Sequence, residues 1–279
     1  MKTVSKERYK PSLFMKIIIC LMVIYFVFAV VSFPLRTVKY TVSSDKVTER
    51  FRIVQISDLH SDRYGKDMST LISAIDKAEP DIVVLTGDIY EFSNSNENTR
   101  ILLRSIGSRY KCFYVAGNHE FNMDNWVECK AEAESFGVSV MEGDTVSCGE
   151  VTISGAAMSA DWGIDWAESL EKCAEQASGY AVLLYHFPED AAAHEYAEYY
   201  DRFDLVLSGH AHGGQWRIPF ILNGLVSPGE GLFPKYAGGE YALDGGGRMI
   251  VSRGLKRDIL PVARIFNNPE LVIVDITPE

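Results

Sequence analysis

This chain should fold as a layered, mixed α/β protein, and three features say so. Short apolar runs alternate with segments of helical periodicity, the early runs end in polar, glycine-containing loops, and the C-terminal part becomes glycine-punctuated with little helix. FRIVQIS (51–57) reads as the first strand of the domain and ends in DLHSDRYG. MSTLISAIDKA (68–78) has its apolar residues at helical spacing and stops before Glu79-Pro80, since a residue preceding proline is pushed out of the helical region. DIVVLTG (81–87), a helix around 97–107 and KCFYVAG (111–117) repeat the pattern. Such near-continuous apolar strands suit a sheet covered by helices on both faces.

Residues 124–136 read as helical, and GVSV with DTVSCGEVTISG as short hairpin strands. A helix near 166–177 leads into YAVLLYH (180–186), and a helical stretch over 189–200 precedes DLVLSGH (204–210). RMIVSRG and LVIVDI, in the glycine-rich C-terminal part, are expected to be antiparallel strands.

With 279 residues, 47% of them hydrophobic, the chain can bury a sizeable core. Residues 1–16 form a short basic tail, 17–35 a transmembrane anchor, 36–50 a linker and 51–279 a single catalytic domain. The anchor rests on IIICLMVIYFVFAVVSF, residues 17–33, which carries no charge. A cleaved signal peptide is the competing reading, but VVSFPL offers no A-x-A-type cleavage site. A buried core helix would need protein around its whole surface. Lys2, Lys6, Arg8, Lys10 and Lys16 before the span place the N-terminus in the cytoplasm and the domain outside a cell membrane crossed once.

A net charge of -11 argues against a partner such as nucleic acid. Cys20 lies in the apolar run; Cys112, Cys129, Cys148 and Cys173 remain for the domain, either paired or as small buried apolar residues. No CxxC occurs, so a thiolate zinc cluster is not expected.

Five polar clusters stand at or near strand ends: SDLH (57–60), TGDIY (86–90), AGNHEF (116–121), LLYHFPE (183–189) and SGHAHGGQ (208–215). They hold five of the six histidines; the sixth, His194, reads as a solvated helix residue. Taken singly, Asp58 and His60 could be a turn aspartate and a surface histidine, Asp88 and Asn118 turn residues beside glycine, and His186 a satisfied core imidazole. Taken together, they gather imidazoles, carboxylates and an amide where open α/β sheets bind ligands. Imidazole nitrogen with carboxylate and amide oxygen suits Mn²⁺, Fe²⁺ or Zn²⁺. Seven or eight candidate ligands are too many for one zinc and fit two ions, which clamp both attacking and leaving oxygens during phosphoryl displacement.

The order DLH…GD…GNHE…H…GHAHGG, spread from about residue 51 to 276, resembles the calcineurin-like metallophosphoesterases. It is closest to their membrane-associated bacterial branch in GHAHGGQ and in the tail SRGL…PVARIFNNPELVIV. The resemblance implies a four-layer α/β sandwich with mixed sheets, here preceded by one transmembrane helix, and a centre of two divalent metal ions. It assigns Asp58, His60 and His212 to one ion and Asn118, His186 and His210 to the other, with Asp88 bridging. His119 then orients the phosphate and protonates the leaving oxygen. Glu120 would position His119 or a loop, and Gln215 would reach a phosphate or cap its turn. Ala211 stands where the family often has Thr, which removes a hydroxyl without touching a ligand.

The expected activity is metal-dependent hydrolysis of a phosphodiester or pyrophosphate bond by in-line attack of metal-bound water. The anchor and the apolar stretch 217–239, with Phe220, Ile221, Leu222, Leu232 and Phe233, point to a membrane-lipid or envelope-related substrate. The alternatives are satellite core for that stretch, a non-catalytic metal-binding membrane scaffold, or a nucleotide or nucleic-acid phosphodiesterase.

Overall fold

The computed structural model describes residues 11–31, 34–92, 95–156, 165–191, 196–257 and 264–279. Its strands are β1 (Arg36–Ser43), β2 (Phe51–Ile56), β3 (Ile82–Thr86), β4 (Lys111–Val115), β5 (Val138–Val140), β6 (Asp144–Cys148), β7 (Val151–Gly155), β8 (Tyr180–Leu184), β9 (Leu205–Ser208), β10 (Val226–Ser227), β11 (Gly231–Leu232), β12 (Gly239–Ala242), β13 (Arg248–Val251) and β14 (Glu270–Thr277). The helices used below are α1 (Leu13–Val31), α2 (Ser69–Ala78), α3 (Glu97–Gly107), α4 (Asn118–Phe121), α5 (Trp126–Ser135) and α6 (Trp166–Gln176).

Two six-stranded mixed sheets face each other, ordered β1-β14-β2-β3-β4-β5 and β12-β13-β9-β8-β7-β6. The alternation of side chains along each strand decides what each face meets. Val54, Ile56, Val83 and Leu85 of the first sheet pack beneath α2, α3 and α5 through Leu71, Ile75, Leu102, Ile106 and Trp126. From the opposite face, Ile53, Val84 and Phe113 meet Ile153, Val182, Leu184, Leu207 and Ile250 of the second sheet. The outer face of that sheet, with Leu183, Val206 and Met249, carries Leu170 and Cys173 of α6. The layers are therefore helix, sheet, sheet, helix, which is why β3, β8 and β9 are buried along their whole length.

The C-terminal strands depart from simple antiparallel pairing. β13 is antiparallel to β12 but parallel to β9, and β14 is antiparallel to β2 but parallel to β1. Residues 36–43, read as part of a linker, form an edge strand with Arg36 opposite Glu270 and Ser43 opposite Thr277. The helical stretch expected over 189–200 is seen as Pro188–Ala191 and Ala197–Tyr200. His194, within that stretch, lies outside the described residues. Cys112, Cys129, Cys148 and Cys173 are buried free thiols.

The transmembrane expectation is corrected. Among the described residues, no helix is long and apolar enough to cross a membrane. The helix α1 begins at Leu13, so Lys16 lies within its first turn. Its charge-free remainder extends about 22 Å at 1.5 Å per residue, short of a hydrocarbon layer about 30 Å thick. The expected membrane contact through this helix, the single-pass topology and the extracytoplasmic placement all fall with it.

Candidate metal centre

The loops that leave β2, β3, β4, β8 and β9 converge at one edge of the sandwich, because these strands run parallel within their sheets. Backbone bonds lace the first two together: Asp58 N to Gly87 O at 3.0 Å and His60 N to Asp88 O at 3.0 Å. From the second sheet, His210 N donates to Asp58 Oδ1 at 3.0 Å. Two glycines make this approach feasible. A Cβ on Gly117 would lie 2.3 Å from Asp88 Oδ1, and one on Gly209 would lie 1.9 Å from Ser57 Oγ. Asp58, His60, Asp88, His210 and His212 all adopt positive φ, a strained backbone for residues with side chains.

Three groups of donor atoms result, each gathered within 4.8 Å: His60, Glu91 and His119, and two that share a carboxylate, Asp58, His60, Asp88 and His212, and Asp88, His186 and His210. Asp88 belongs to both, and the arrangement is that of a binuclear divalent-metal site. Asp88 Oδ2 lies 3.6 Å from His60 Nε2 and 3.5 Å from His186 Nε2, and His212 Nε2 is 3.7 Å from Asp58 Oδ1. Asn118, at the start of α4, has its side-chain oxygen buried without a hydrogen-bond partner among the described residues. His60 Nε2 and His212 Nδ1 are in the same condition. Buried lone pairs left unsatisfied are costly, and nitrogen and oxygen donors so arranged fit divalent ions.

The hydrogen bonds on the far side of two imidazoles explain which nitrogen faces inward. His186 Nδ1 lies 2.7 Å from Thr86 O, and His60 Nδ1 lies 3.2 Å from Glu91 Oε2. In the neutral rings, a proton held on each Nδ1 by these acceptors would leave the Nε2 lone pair, on the side of Asp88, free for an ion.

Crowding shifts the titrations in both directions. Burial raises Asp58 to about 6, although nearby His186 opposes the shift. Burial disfavours the charged form of His186, but Asp88 more than offsets this and its pKa rises to about 10. Burial, reinforced by His186, lowers His210 to about 3. Burial likewise lowers His212, with His60 adding to the effect.

His119 sits at the mouth, less buried than the other site imidazoles. Its backbone N donates to Asp88 Oδ1 at 2.9 Å, its Nδ1 lies 3.2 Å from Glu91 Oε1, and Phe92 stacks on it at 5.1 Å. Burial lowers its pKa, yet Glu91 and Asp88 reverse the sign and raise it.

Sequence reasoning missed Glu91 and underread Glu120. Glu91 is buried and joins His60, His119 and Lys256, the last at 2.6 Å. Burial acts to raise Glu91, but hydrogen bonds from His119, His60 and Lys256 hold its carboxyl far below the usual range. Its place three residues after Asp88 was a visible signal; Lys256, 165 positions away, gave none. Glu120 accepts from the backbone N of Asp88, Ile89, Tyr90 and Gly117 and from the Tyr114 hydroxyl, all at 2.7–2.9 Å. It therefore holds the Asp88 loop rather than His119. Gln215 is buried; its backbone carbonyl accepts from Ile265 N at 3.0 Å, and its side-chain Oε1 has no hydrogen-bond partner among the described residues. Asn267 Nδ2 donates to His212 O at 2.7 Å, a contact no local motif announced. In the 217–239 stretch, Phe220, Ile221, Leu232 and Phe233 are exposed rather than packed as satellite core.

The sequence profile of the calcineurin-like phosphoesterases matches residues 51–214. The uncharacterized metallophosphoesterase YkuE of Bacillus subtilis is 28% identical over 252 residues, covering 86% of this chain and 84% of its own length. An uncharacterized metallophosphoesterase of Aquifex aeolicus is 26% identical over 257 residues, covering 87% of this chain and 92% of its own. The uncharacterized metallophosphoesterase Cj0846 of Campylobacter jejuni is 28% identical over 233 residues, covering 81% of this chain; the chain spans only 59% of that relative. These matches indicate no membrane-associated bacterial branch, which corrects the narrower expectation drawn from GHAHGGQ and the C-terminal tail.

Proposed function

This chain belongs to the calcineurin-like phosphoesterase family and is a metal-dependent phosphohydrolase, and we propose that it cleaves a phosphodiester or pyrophosphate bond in a substrate with an apolar portion. The sharing of Asp88 by two donor groups carries this reading. Asp58, His60 and His212 would hold one ion and Asn118, His186 and His210 the other, with Asp88 offered to both. Their nitrogen and oxygen donors suit Mn²⁺, Fe²⁺ or Zn²⁺. When bound, the two ions supply an activated water and neutralise charge for in-line displacement at phosphorus.

The remaining work falls to side chains. With Glu91 engaging Nδ1 and both Glu91 and Asp88 raising its pKa, His119 favours the doubly protonated ring and so carries a proton at Nε2, 4.0 Å from Asp88 Oδ2. It delivers that proton to the departing oxygen, a role open to an imidazole that is not a metal ligand. Glu120 keeps the Asp88 loop in place, and Thr86 O and Glu91 orient His186 and His60. The exposed Phe220, Ile221, Leu232 and Phe233 offer an apolar surface to a lipid-like portion of the substrate.

His119→Ala tests the assignment. With bis(p-nitrophenyl) phosphate and Mn²⁺, kcat should fall by about 10²–10⁴-fold while two ions per chain remain bound. Wild-type turnover at full metal occupancy would remove His119 from the reaction.

A further inference from the structure

Three arginines remote in sequence converge on one cavity. Arg36 opens β1, Arg217 follows the histidine loop, and Arg253 follows β13. Together with Phe220, Ile221 and Phe266 they line a cavity of about 540 Å³, within the size range of small-molecule sites. The topology places this cavity on the metal-bearing edge. β14 runs antiparallel to β2, so its first residue, Glu270, lies at the edge where β2 ends, and Arg36 is paired with Glu270 across β1 and β14. β13 is parallel to β9, so Arg253 leaves it at that edge too. The next residue, Gly254, passes so close to the centre that a Cβ on it would lie 2.6 Å from Asp58 Cβ.

The charge in this cavity is not balanced. Glu270 is the carboxylate behind it, receiving Arg253 N at 3.0 Å, with Arg253 Nε 3.4 Å from its Oε2. One carboxylate against three guanidiniums leaves at least two positive charges, in a chain whose net charge is -11. Beyond that long ion pair with Glu270, buried Arg253 Nε makes no hydrogen bond among the described residues. Arg217 spends part of its fork on Gly213 O at 3.3 Å and Asn223 Oδ1 at 2.5 Å. Burial, together with Arg253 nearby, lowers the pKa of Arg217 to about 10, with Tyr241 and Glu270 opposing the shift. Beside the guanidiniums lie Phe220, fully exposed, and Ile221, 82% exposed.

The geometry points to a binding site for a phosphate group that carries an apolar chain, the phosphate on Arg36 and Arg253 and the chain along Phe220 and Ile221. Guanidinium forks match phosphate oxygens, and an adjacent apolar wall discriminates an amphiphile from free phosphate. This deepens the functional reading by naming the ligand class at the active face, and it rests on that face meeting phosphorylated substrates.

Binding tests it separately from turnover. The full chain, loaded with Mn²⁺, is titrated calorimetrically with dihexanoyl-phosphatidate, inorganic phosphate or dihexanoyl-phosphatidylcholine, each lipid below its micellar concentration. The same titrations on Asp88→Asn remove turnover and disable the metal centre. Phosphatidate should bind wild type and Asp88→Asn alike, and tighter than either comparison ligand. Arg36→Gln and Arg253→Gln should each weaken it about tenfold or more. Phe220→Ser should weaken phosphatidate while leaving inorganic phosphate unchanged. Arg36 and Phe220 are exposed, so these two variants keep the test valid if Arg253→Gln fails to fold. Loss of phosphatidate binding in Asp88→Asn, or its retention in both arginine variants, would overturn the site. Equal affinity for inorganic phosphate would overturn the apolar part. A failed His119 assignment would leave these binding results untouched.

Discussion

The two edges of the sandwich handle buried polarity in opposite ways. At the edge away from the metal centre, Asp275 near the end of β14 is held by Arg52 and Lys39, each at 2.6 Å. Asp204, just before β9, accepts from Lys46 at 2.7 Å and from Ala181 N at 2.9 Å. At the ligand edge, carboxylates and imidazoles crowd together, buried nitrogen and oxygen atoms lack partners, and the backbone is strained at five of the expected ligands. One edge pairs its carboxylates within the chain, while the other leaves donor atoms open for ions to close. A site that binds tightly must be left incomplete by the fold, and its supports must then be strong enough to hold the strain.

Four variants probe that contrast. Asp88→Ala should have the largest effect, because it removes the atom shared by both donor groups. Metal analysis should show fewer than two ions per chain, with hydrolysis down by at least about 10³-fold. Full occupancy would mean that Asp88 does not bridge.

Glu120→Ala strikes the support of the same loop. It strands four buried N–H donors and should destabilise the protein by about 3–5 kcal/mol in urea unfolding. A loss near zero would show that the loop holds itself.

Glu91→Gln keeps the shape but removes the charge facing His60, His119 and Lys256. It should lower kcat or metal affinity by about 10–100-fold, with little change in melting temperature. A variant as active and as metal-retentive as wild type would reduce Glu91 to a packing role.

The smallest effect belongs to the closed edge. Arg52, helped by Lys39, holds the Asp275 carboxyl down at about 2, below about 3.9 for an unfolded aspartate. The stabilisation is thus fully present above about pH 4 and disappears as pH falls through about 2. Asp275→Asn should destabilise modestly at pH 7 and match wild type near pH 2; an unchanging deficit across that window would exclude the ion pairs as its source.

Much of this arrangement was legible. Covered strands such as IVVLT and YAVLL advertise themselves by continuous apolarity, and the polar clusters after them predict one edge. What escaped has a physical cause in each case. RTVKYTVS alternates apolar with polar residues and is mostly exposed, so it reads as a linker until β14 pairs with it. The N-terminal run is apolar enough to suggest a membrane span, but the helix it forms ends at Val31, so its charge-free part, from residue 17 to 31, falls short of one. Glu91 is one acidic residue in a loop, and only the loop's path turns it toward two imidazoles.

By itself the sequence determined the donor types, their order along the chain and the strands that carry them, since local apolarity and loop chemistry are written in neighbouring residues. The tertiary structure alone decided which nitrogen of His60 and His186 faces inward, and that Lys256 completes the support of Glu91. It also brought Arg36, Arg217 and Arg253 around one cavity. Distances of a few ångströms between residues far apart in sequence depend on how two sheets pack and how their loops cross, and no local pattern encodes that sum.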